Sequence, residues 1–213
     1  HHDDVLSMDN CGESLLATGS YDGEIIIWNL KLARAVKKFD SKTHRKKWNV
    51  AFLTGAKSQE EMDHLPKVSH TAKTAVESIV WLKYRVKQMA AGALTGSKSS
   101  LVVSNVGTLA VSCDGGCINF WNALKGDMLG GFYAVSDQFG GESVQGMATN
   151  EDNSMLYCGD SLGYIRTYNI ENYCTNGEDR MPPRKAKEWR AHVQAITSVY
   201  YVSGANVLVS GSS

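Results

Sequence analysis

The chain has 213 residues, of which 43% are hydrophobic, so it can form one ordinary domain or two small ones with a proper core. Its 22 Lys and Arg residues equal its 22 Asp and Glu residues, so it has no net positive charge that would attract it to nucleic acid or an anionic membrane. No segment approaches the roughly 20 apolar residues of a spanning helix, no signal peptide opens the chain, and the five cysteines are irregularly spaced, so we expect a cytoplasmic protein with reduced thiols.

The first element in chain order is a predicted hairpin. An apolar run from Leu15 to Ser20 meets an Asp22-Gly23 turn, and a β-rich run follows that ends in Trp28 and Asn29. Asp-Gly turns favour antiparallel strand pairs because their backbone twist matches that of the strands. Residues 31–39 continue the pattern and predict an outer strand of the same unit.

Two inserts are predicted next, about residues 41–75 and 84–100. The first is polar and charged, with no strand alternation beyond residues 50–53, and the second is rich in Gly, Ala and Ser. These compositions are typical of long surface loops. Between the inserts, residues 76–82 resemble the innermost strand of a second unit.

The hairpin plan recurs over residues 109–122 and 155–169. Trp121 and Tyr168 close these hairpins as Trp28 closes the first, and each of the three stands five residues after a turn glycine and just before an Asn. The shared spacing predicts a structural repeat. A third insert is expected at about 172–187, and a fourth unit begins near residue 195 and stops in mid-repeat.

The endings Ile27-Trp28-Asn29 and Phe120-Trp121-Asn122 resemble the Trp-Asp signature of the WD-repeat family, with Asn in place of Asp. The distance from Trp121 to Tyr168 agrees with the roughly 40 to 45 residues of that repeat. The resemblance implies an all-β fold, a partial WD-repeat β-propeller of about three and a half to four blades, each of four antiparallel strands, in an incomplete ring. The blades would span about residues 1–40, 76–134, 143–192 and 195–213 of one domain, and we expect such a part of a ring to aggregate in isolation.

The family's polar signature is a His before the first strand, a Ser or Thr in the second, an Asp in the turn and a Trp in the third. His1, Thr18, Asp22 and Trp28 match it, and the resemblance implies that they form a hydrogen-bonded set. In the third unit Leu162 replaces the turn Asp and Gly140 stands where the His would be, so we expect that unit to rely more on packing.

Three patterns that could carry chemistry are interpreted as structural or solvated. Residues 92–99 depart from the phosphate-binding loop in glycine spacing, Cys113 and Cys117 lack the further ligands of a zinc site, and His64 and His70 lack a positioned partner. The sequence therefore predicts no catalytic residue, cofactor, metal or small-molecule substrate, and no enzyme.

Candidate partner-binding residues are aromatic or basic, because these types dominate binding energy when they are exposed. We expect some of them near turns or loops between strands, and a basic run beside a Trp could contact an acidic partner such as a microtubule surface, although a solvated loop explains the same charges. The candidates are Tyr21, Arg45, Lys46, Lys47, Trp48, Arg166 and Trp189.

The family resemblance implies a scaffold that binds other proteins within a large complex. Residues 1–6, 16–29 and 75–79 resemble a subgroup of long WD-repeat proteins with EF-hands, several of them associated with cilia and flagella, which implies a structural component of the axoneme. No EF-hand loop occurs in this chain. The alternative is a cytosolic adaptor that recruits peptides or substrates to a signalling or ubiquitin-ligase complex.

Overall fold

A computed structural model of the protein describes residues 1–41, 75–83, 107–113, 115–135, 142–175, 179 and 181–213. These residues form fourteen strands and one short 3-10 turn, Ser203–Ala205. The strands group into three four-stranded antiparallel sheets and one two-stranded hairpin.

Each four-stranded sheet follows chain order from its first strand to its fourth. Sheet 1 consists of β1 (Val5–Cys11), β2 (Leu15–Ser20), β3 (Glu24–Asn29) and β4 (Arg34–Asp40). Sheet 2 consists of β5 (Val76–Leu82), β6 (Thr108–Cys113), β7 (Cys117–Asn122) and β8 (Met128–Tyr133). Sheet 3 consists of β9 (Val144–Thr149), β10 (Met155–Asp160), β11 (Tyr164–Asn169) and β12 (Arg184–Arg190). Sheet 4 is the hairpin of β13 (Ile196–Val202) and β14 (Val207–Ser212).

The turns between the second and third strands of sheets 1 and 3 require glycine. Gly23 has a φ of 93° and Gly163 a φ of 86°, a left-handed conformation that other residues rarely adopt. Each turn is closed by a backbone hydrogen bond, from Gly23 N to Ser20 O at 3.1 Å and from Gly163 N to Asp160 O at 3.2 Å. These turns set the register of both hairpins.

A register shift recurs at one place in every four-stranded sheet. Where the third strand pairs with the fourth, the register shifts immediately before the closing aromatic residue, which is Trp28, Trp121 or Tyr168. Such a bulge bends the strand and increases the local twist. Its recurrence shows that the three sheets are copies of one structural unit.

Sheets 1 and 2 pack through their innermost strands, β1 and β5. Ser7 Oγ donates to Val76 O at 3.2 Å, and further along both strands Trp81 N donates to Asp9 Oδ2 at 2.6 Å. The residue nearer the start of β1 therefore contacts the start of β5, and the residue further along β1 contacts a residue further along β5. The two strands therefore run in the same direction.

The sheets have the same relative orientation where sheet 2 meets sheet 3 and where sheet 3 meets sheet 4. The end of β6 lies beside the start of β9, where Ser112 Oγ donates to Val144 O at 2.8 Å. The turn at Gly163 lies against the backbone of residues 192–194, just before β13. The starts of the innermost strands and the turns between second and third strands therefore share one side of the molecule, which we call the upper face. The β1–β2 and β3–β4 turns of sheet 1 lie on the opposite side, the lower face.

Two hydrophobic layers fill the junctions between neighbouring sheets. Members of the layer between sheets 1 and 2 include Ile25, Ile27, Trp81 and Trp121. Members of the layer between sheets 2 and 3 include Phe120, Phe132, Tyr168 and Tyr173. Full burial of one such side chain contributes about 1.5 to 3 kcal/mol, so the junctions between sheets are a main source of stability.

This architecture confirms the predicted all-β, partial WD-repeat β-propeller. The predicted insert at 84–100 lies outside the described residues, as does that at 41–75 apart from its first and last residues. Strand β12 begins inside the predicted insert at 172–187, because its seven residues are all exposed and carry no apolar alternation that would reveal a strand. Within the described ranges, no helix has the length and apolar character needed to cross a membrane.

Candidate interaction surface

Three residues of the predicted polar set meet in sheet 1. His1 Nε2 lies 2.6 Å from Thr18 Oγ1, and Trp28 Nε1 donates to the same oxygen at 2.8 Å. Thr18 is buried, so its hydroxyl supplies the acceptor that the indole N–H needs in a partly buried site. The arrangement connects His1, which precedes β1, to Thr18 of β2 and Trp28 of β3.

The fourth residue of the set, Asp22, caps the turn between β2 and β3. Its Oδ1 accepts hydrogen bonds from Ser20 Oγ and, at 3.0 Å, from Glu24 N. Glu24 provides a carboxylate for His1, with Oε2 lying 3.3 Å from His1 Nδ1. Sequence reasoning missed Glu24 because the family signature used to select the set has no acidic residue at this strand position.

The His–hydroxyl pair recurs in sheet 4. His192 precedes β13 as His1 precedes β1, and its Nε2 lies 2.8 Å from Ser210 Oγ. Ser210 occupies the position of Thr18, since it pairs with the fourth residue of its innermost strand as Thr18 does. Sheet 4 thus keeps the polar contact of the repeat.

In sheet 3, Cys158 occupies the position of Thr18, and a buried charge lies at the end of the same strand. Asp160 is almost fully buried at the end of β10, and its Oδ1 accepts from Leu162 N at 2.9 Å and from Tyr164 N at 2.8 Å. Its Oδ2 forms an ion pair with the guanidinium of Arg166. Although Leu162 replaces the turn Asp, this turn has a polar cap, since Asp160 stands two residues before Leu162.

The charge network continues toward the outer strand of sheet 3. Glu188 Oε2 accepts from Arg166 Nε at 3.0 Å and from Lys185 Nζ at 2.7 Å. The Lys185 hydrogen bond lowers the pKa of Glu188, and the Arg166 guanidinium lowers it further. On the same side of the sheet, burial raises the pKa of Cys158 although Arg166 opposes this, so the thiol stays neutral and is a poor nucleophile.

Cys113 and Cys117 lie directly opposite each other across the β6–β7 hairpin. Asn119 Nδ2 donates to Cys113 Sγ at 3.6 Å, and Cys117 Sγ donates to Asn119 Oδ1 at 3.3 Å. All three side chains are buried. Among the residues that the structure describes, no group of three or more His, Cys, Asp or Glu side chains is placed to hold a metal ion.

The predicted partner-binding residues are scattered. Tyr21 lies in the β2–β3 turn on the upper face and is 38% exposed. Arg166 lies within β11, and its guanidinium is engaged by two carboxylates, so it contributes to the structure of sheet 3. The segment 45–48, Arg45, Lys46, Lys47 and Trp48, lies outside the described residues.

Trp189 is 41% exposed on the edge strand β12. It pairs with Ile165 as Phe39 pairs with Ile25 in sheet 1, so Trp189 and Phe39 occupy equivalent positions. The Phe39 ring lies 5.1 Å from the Trp121 ring of the next sheet. Trp189 thus occupies the position that packs against the neighbouring sheet in sheet 1.

A shallow recess of about 300 Å³ lies beside the upper end of sheet 1. Its lining residues are His2, Asp22, Glu24, Lys38, Phe39 and Asp40. Several of these charges are already engaged, since Lys38 Nζ lies 3.8 Å from Glu24 and Asp22 caps the turn. The recess thus forms part of the polar upper face.

Comparison with known proteins identifies WD-repeat relatives. Residues 1–29 match the family described as WD domain, G-beta repeat. The whole chain aligns with a WD repeat-containing protein on Y chromosome from Anopheles gambiae, at 23% identity over 258 residues, and with one from Drosophila mojavensis, at 22% identity over 267 residues. The chain covers 24% and 20% of these two proteins, so it spans about a quarter or less of their length.

Solved structures of similar shape include two designed proteins. The computationally designed Ika4 protein has a TM-score of 0.54 and 12% identity, and the alignment covers all of this chain and 87% of Ika4. The designed Ika8 protein has a TM-score of 0.53 and 12% identity, with 44% of that chain covered. This likeness concerns the fold alone, whereas the matched repeat and the WD repeat-containing relatives support the WD-repeat family for this chain.

Proposed function

We propose that this chain is part of a scaffold that binds other proteins, and that it uses its upper face to do so. Repeated sheets bring the β2–β3 and β10–β11 turns to this face, and the carboxylates of Asp22 and Asp160 accept backbone hydrogen bonds that fix both turns. A rigid surface loses little conformational entropy on binding. The single observation that carries the proposal is this alignment of capped turns on one side.

The scaffold would belong to a large assembly, and we place it in the ciliary or flagellar axoneme. The support for this setting is the resemblance of residues 1–6, 16–29 and 75–79 to a subgroup of long WD-repeat proteins with EF-hands, several of them associated with cilia and flagella. The chain has equal numbers of basic and acidic residues, 22 each, so attachment to a polyanionic surface such as a microtubule would use local patches.

Site-specific photo-crosslinking in cells tests the scaffold. A photoreactive residue replaces Tyr21 on the upper face, and in a matched variant it replaces Leu32, which is 58% exposed in the β3–β4 turn on the lower face. We expect defined protein adducts from position 21 and fewer from position 32. Equal labelling at both positions would contradict a role for the upper face.

Fractionation tests the setting separately. The full-length protein should be recovered with purified axonemes and resist extraction with detergent. Exclusive recovery in the soluble cytosol would overturn the axonemal assignment. Adducts dominated by ubiquitin-ligase or kinase subunits would instead favour the adaptor function.

A further inference from the structure

Two aliphatic side chains stand out into solvent where sheet 3 meets sheet 4 on the upper face. Val193, in the loop between β12 and β13, is 83% exposed, and Leu162, in the β10–β11 turn, is 42% exposed. Gly163 follows Leu162, and a Cβ atom at Gly163 would clash with His192 O and lie 2.8 Å from Gln194 O, the carbonyls that flank Val193. The two side chains therefore project from backbone segments that touch. We call Leu162, Arg190 and Val193 together the Val193 surface.

The loop that carries Val193 is fixed from three sides. The backbone N–H groups of Ala191 and His192 both donate to Gly163 O, at 2.9 and 3.1 Å. The ring of His192 bonds Ser210 at 2.8 Å. Arg190 folds over the loop and donates from Nε to His192 O and from Nη2 to Val193 O, both at 3.3 Å.

These contacts hold an exposed aliphatic side chain on an ordered backbone. Exposed loops ordinarily lose conformational entropy when a ligand orders them, and this loop has already lost it. An apolar side chain held in water in this way gains free energy when a partner covers it. The Val193 surface is thus preorganised for docking.

The positive charge of Arg190 beside the Val193 surface indicates the charge of the partner. The Arg190 guanidinium donates two of its five N–H groups to loop carbonyls, and among the described residues its other N–H groups have no acceptor, while its carbon lies 6.0 Å from the centre of the Tyr164 ring. The nearby carboxylates of sheet 3 are engaged elsewhere, Asp160 by Arg166 and Glu188 by Arg166 and Lys185. An arginine fork with spare donors favours a carboxylate.

We infer that the Val193 surface binds an extended segment of a partner protein in which an aliphatic side chain stands next to an Asp or Glu. The aliphatic group covers Val193 and Leu162, and the carboxylate receives the remaining N–H groups of Arg190. The inference rests on the proposed scaffold function and names the partner chemistry of one part of the upper face.

Selection from a displayed library of random twelve-residue peptides on the full-length protein tests the inference. Enriched peptides should carry an aliphatic residue beside an acidic one. Because a centrally placed anchor typically dominates binding, Val193→Ser and Arg190→Gln should each weaken the selected peptides about tenfold in Kd. Leu32→Ser, which removes an exposed leucine from the lower face, is the matched control and should leave Kd unchanged. The hydrogen-exchange pattern of β10–β14 confirms that each variant is folded.

Three outcomes overturn the inference: no enrichment from the library, enriched peptides without an acidic residue, or selected peptides that bind Val193→Ser and Arg190→Gln as tightly as the original protein. None of these results touches the crosslinking test at position 21. If that test succeeds while this one fails, the upper face binds partners elsewhere and the scaffold function stands.

Discussion

The ion pair between Asp160 and Arg166 lies inside sheet 3 and is largely shielded from water. Asp160→Asn keeps the size of the side chain but removes the charge that Arg166 faces. Removing one partner of a buried pair typically costs about 3 to 5 kcal/mol, and Glu188 still balances part of the charge here, so we expect a loss of about 2 kcal/mol. Hydrogen exchange of the β10–β11 amides in the full-length protein measures it.

Asp152→Asn is the control for that experiment. Asp152 is an exposed carboxylate in the β9–β10 turn that accepts from Ser154 N at 3.0 Å. Surface changes of this kind usually stay within about 0.5 kcal/mol. Equal losses at both positions would show that the charge of Asp160 is not part of the core of sheet 3.

Glu188 gives sheet 3 a dependence on pH. Because Lys185 and Arg166 hold its folded pKa below the ordinary value of 4.5, the ionised form is favoured by folding. The resulting stability is complete above 4.5 and is lost as the pH falls through the lower folded pKa. We expect exchange of the β11–β12 amides, corrected for intrinsic rates, to accelerate in this acidic window, and Glu188→Gln to abolish the added sensitivity. An unchanged acid profile in Glu188→Gln would contradict the assignment.

At the scale of one sheet, the Thr18 hydroxyl joins the residue before β1 to β2 and β3. Thr18→Val leaves the Trp28 N–H and the His1 ring without that oxygen, which we expect to destabilise sheet 1 by about 2 kcal/mol. Thr167→Val is the matched control, since Thr167 is also buried but makes a single long bond of 3.5 Å to Lys187 O. Exchange rates in β2 and β3 report the first change and those in β11 the second. Similar losses of stability in the two variants would show that the substitution of valine for threonine, and not the loss of the Thr18 hydrogen bonds, causes the destabilisation.

The elements that could be predicted from sequence are those with a strong local pattern. The first three hairpins were predicted because a glycine turn and a closing aromatic recur at a constant spacing, and Trp28, Trp121 and Tyr168 do lie in equivalent positions. Strand β12 was missed because its pairing with β11 is not encoded in an apolar alternation. Asp160 and Glu24 were missed because their roles depend on partners, Arg166 and His1, that only the folded sheets bring near.

The site was less predictable than the fold for a similar reason. Val193 is one aliphatic residue in a polar connection, and nothing in the sequence indicates that its side chain is exposed while its backbone is fixed. Arg166 had the residue type of a binding anchor, but its guanidinium is engaged by Asp160 and Glu188. Exposure and pairing are properties of the assembled sheets, so residue type alone does not reveal them.

At the scale of the whole molecule, sheet 4 differs from the other three because it has two strands in the described residues. Tyr200 is 68% exposed and Val209 is 52% exposed, so the hairpin presents apolar side chains together with the backbone edge of β14. Exposed apolar edge strands of this kind tend to pair with strands of other chains. We therefore expect residues 1–213, expressed alone, to self-associate, and sedimentation velocity measures the species formed.

A lysine on the exposed edge should oppose that association, because a charge cannot be buried between paired strands without a partner. Val209→Lys should therefore shift the isolated chain toward smaller species. Val36→Lys is the matched control, since Val36 is 46% exposed on the edge strand β4 but already stands beside Lys37 and Lys38, which protect that edge. A monodisperse, cooperatively melting monomer from the unmodified chain would show instead that sheet 4 is complete with two strands and that the count of about three and a half blades is wrong.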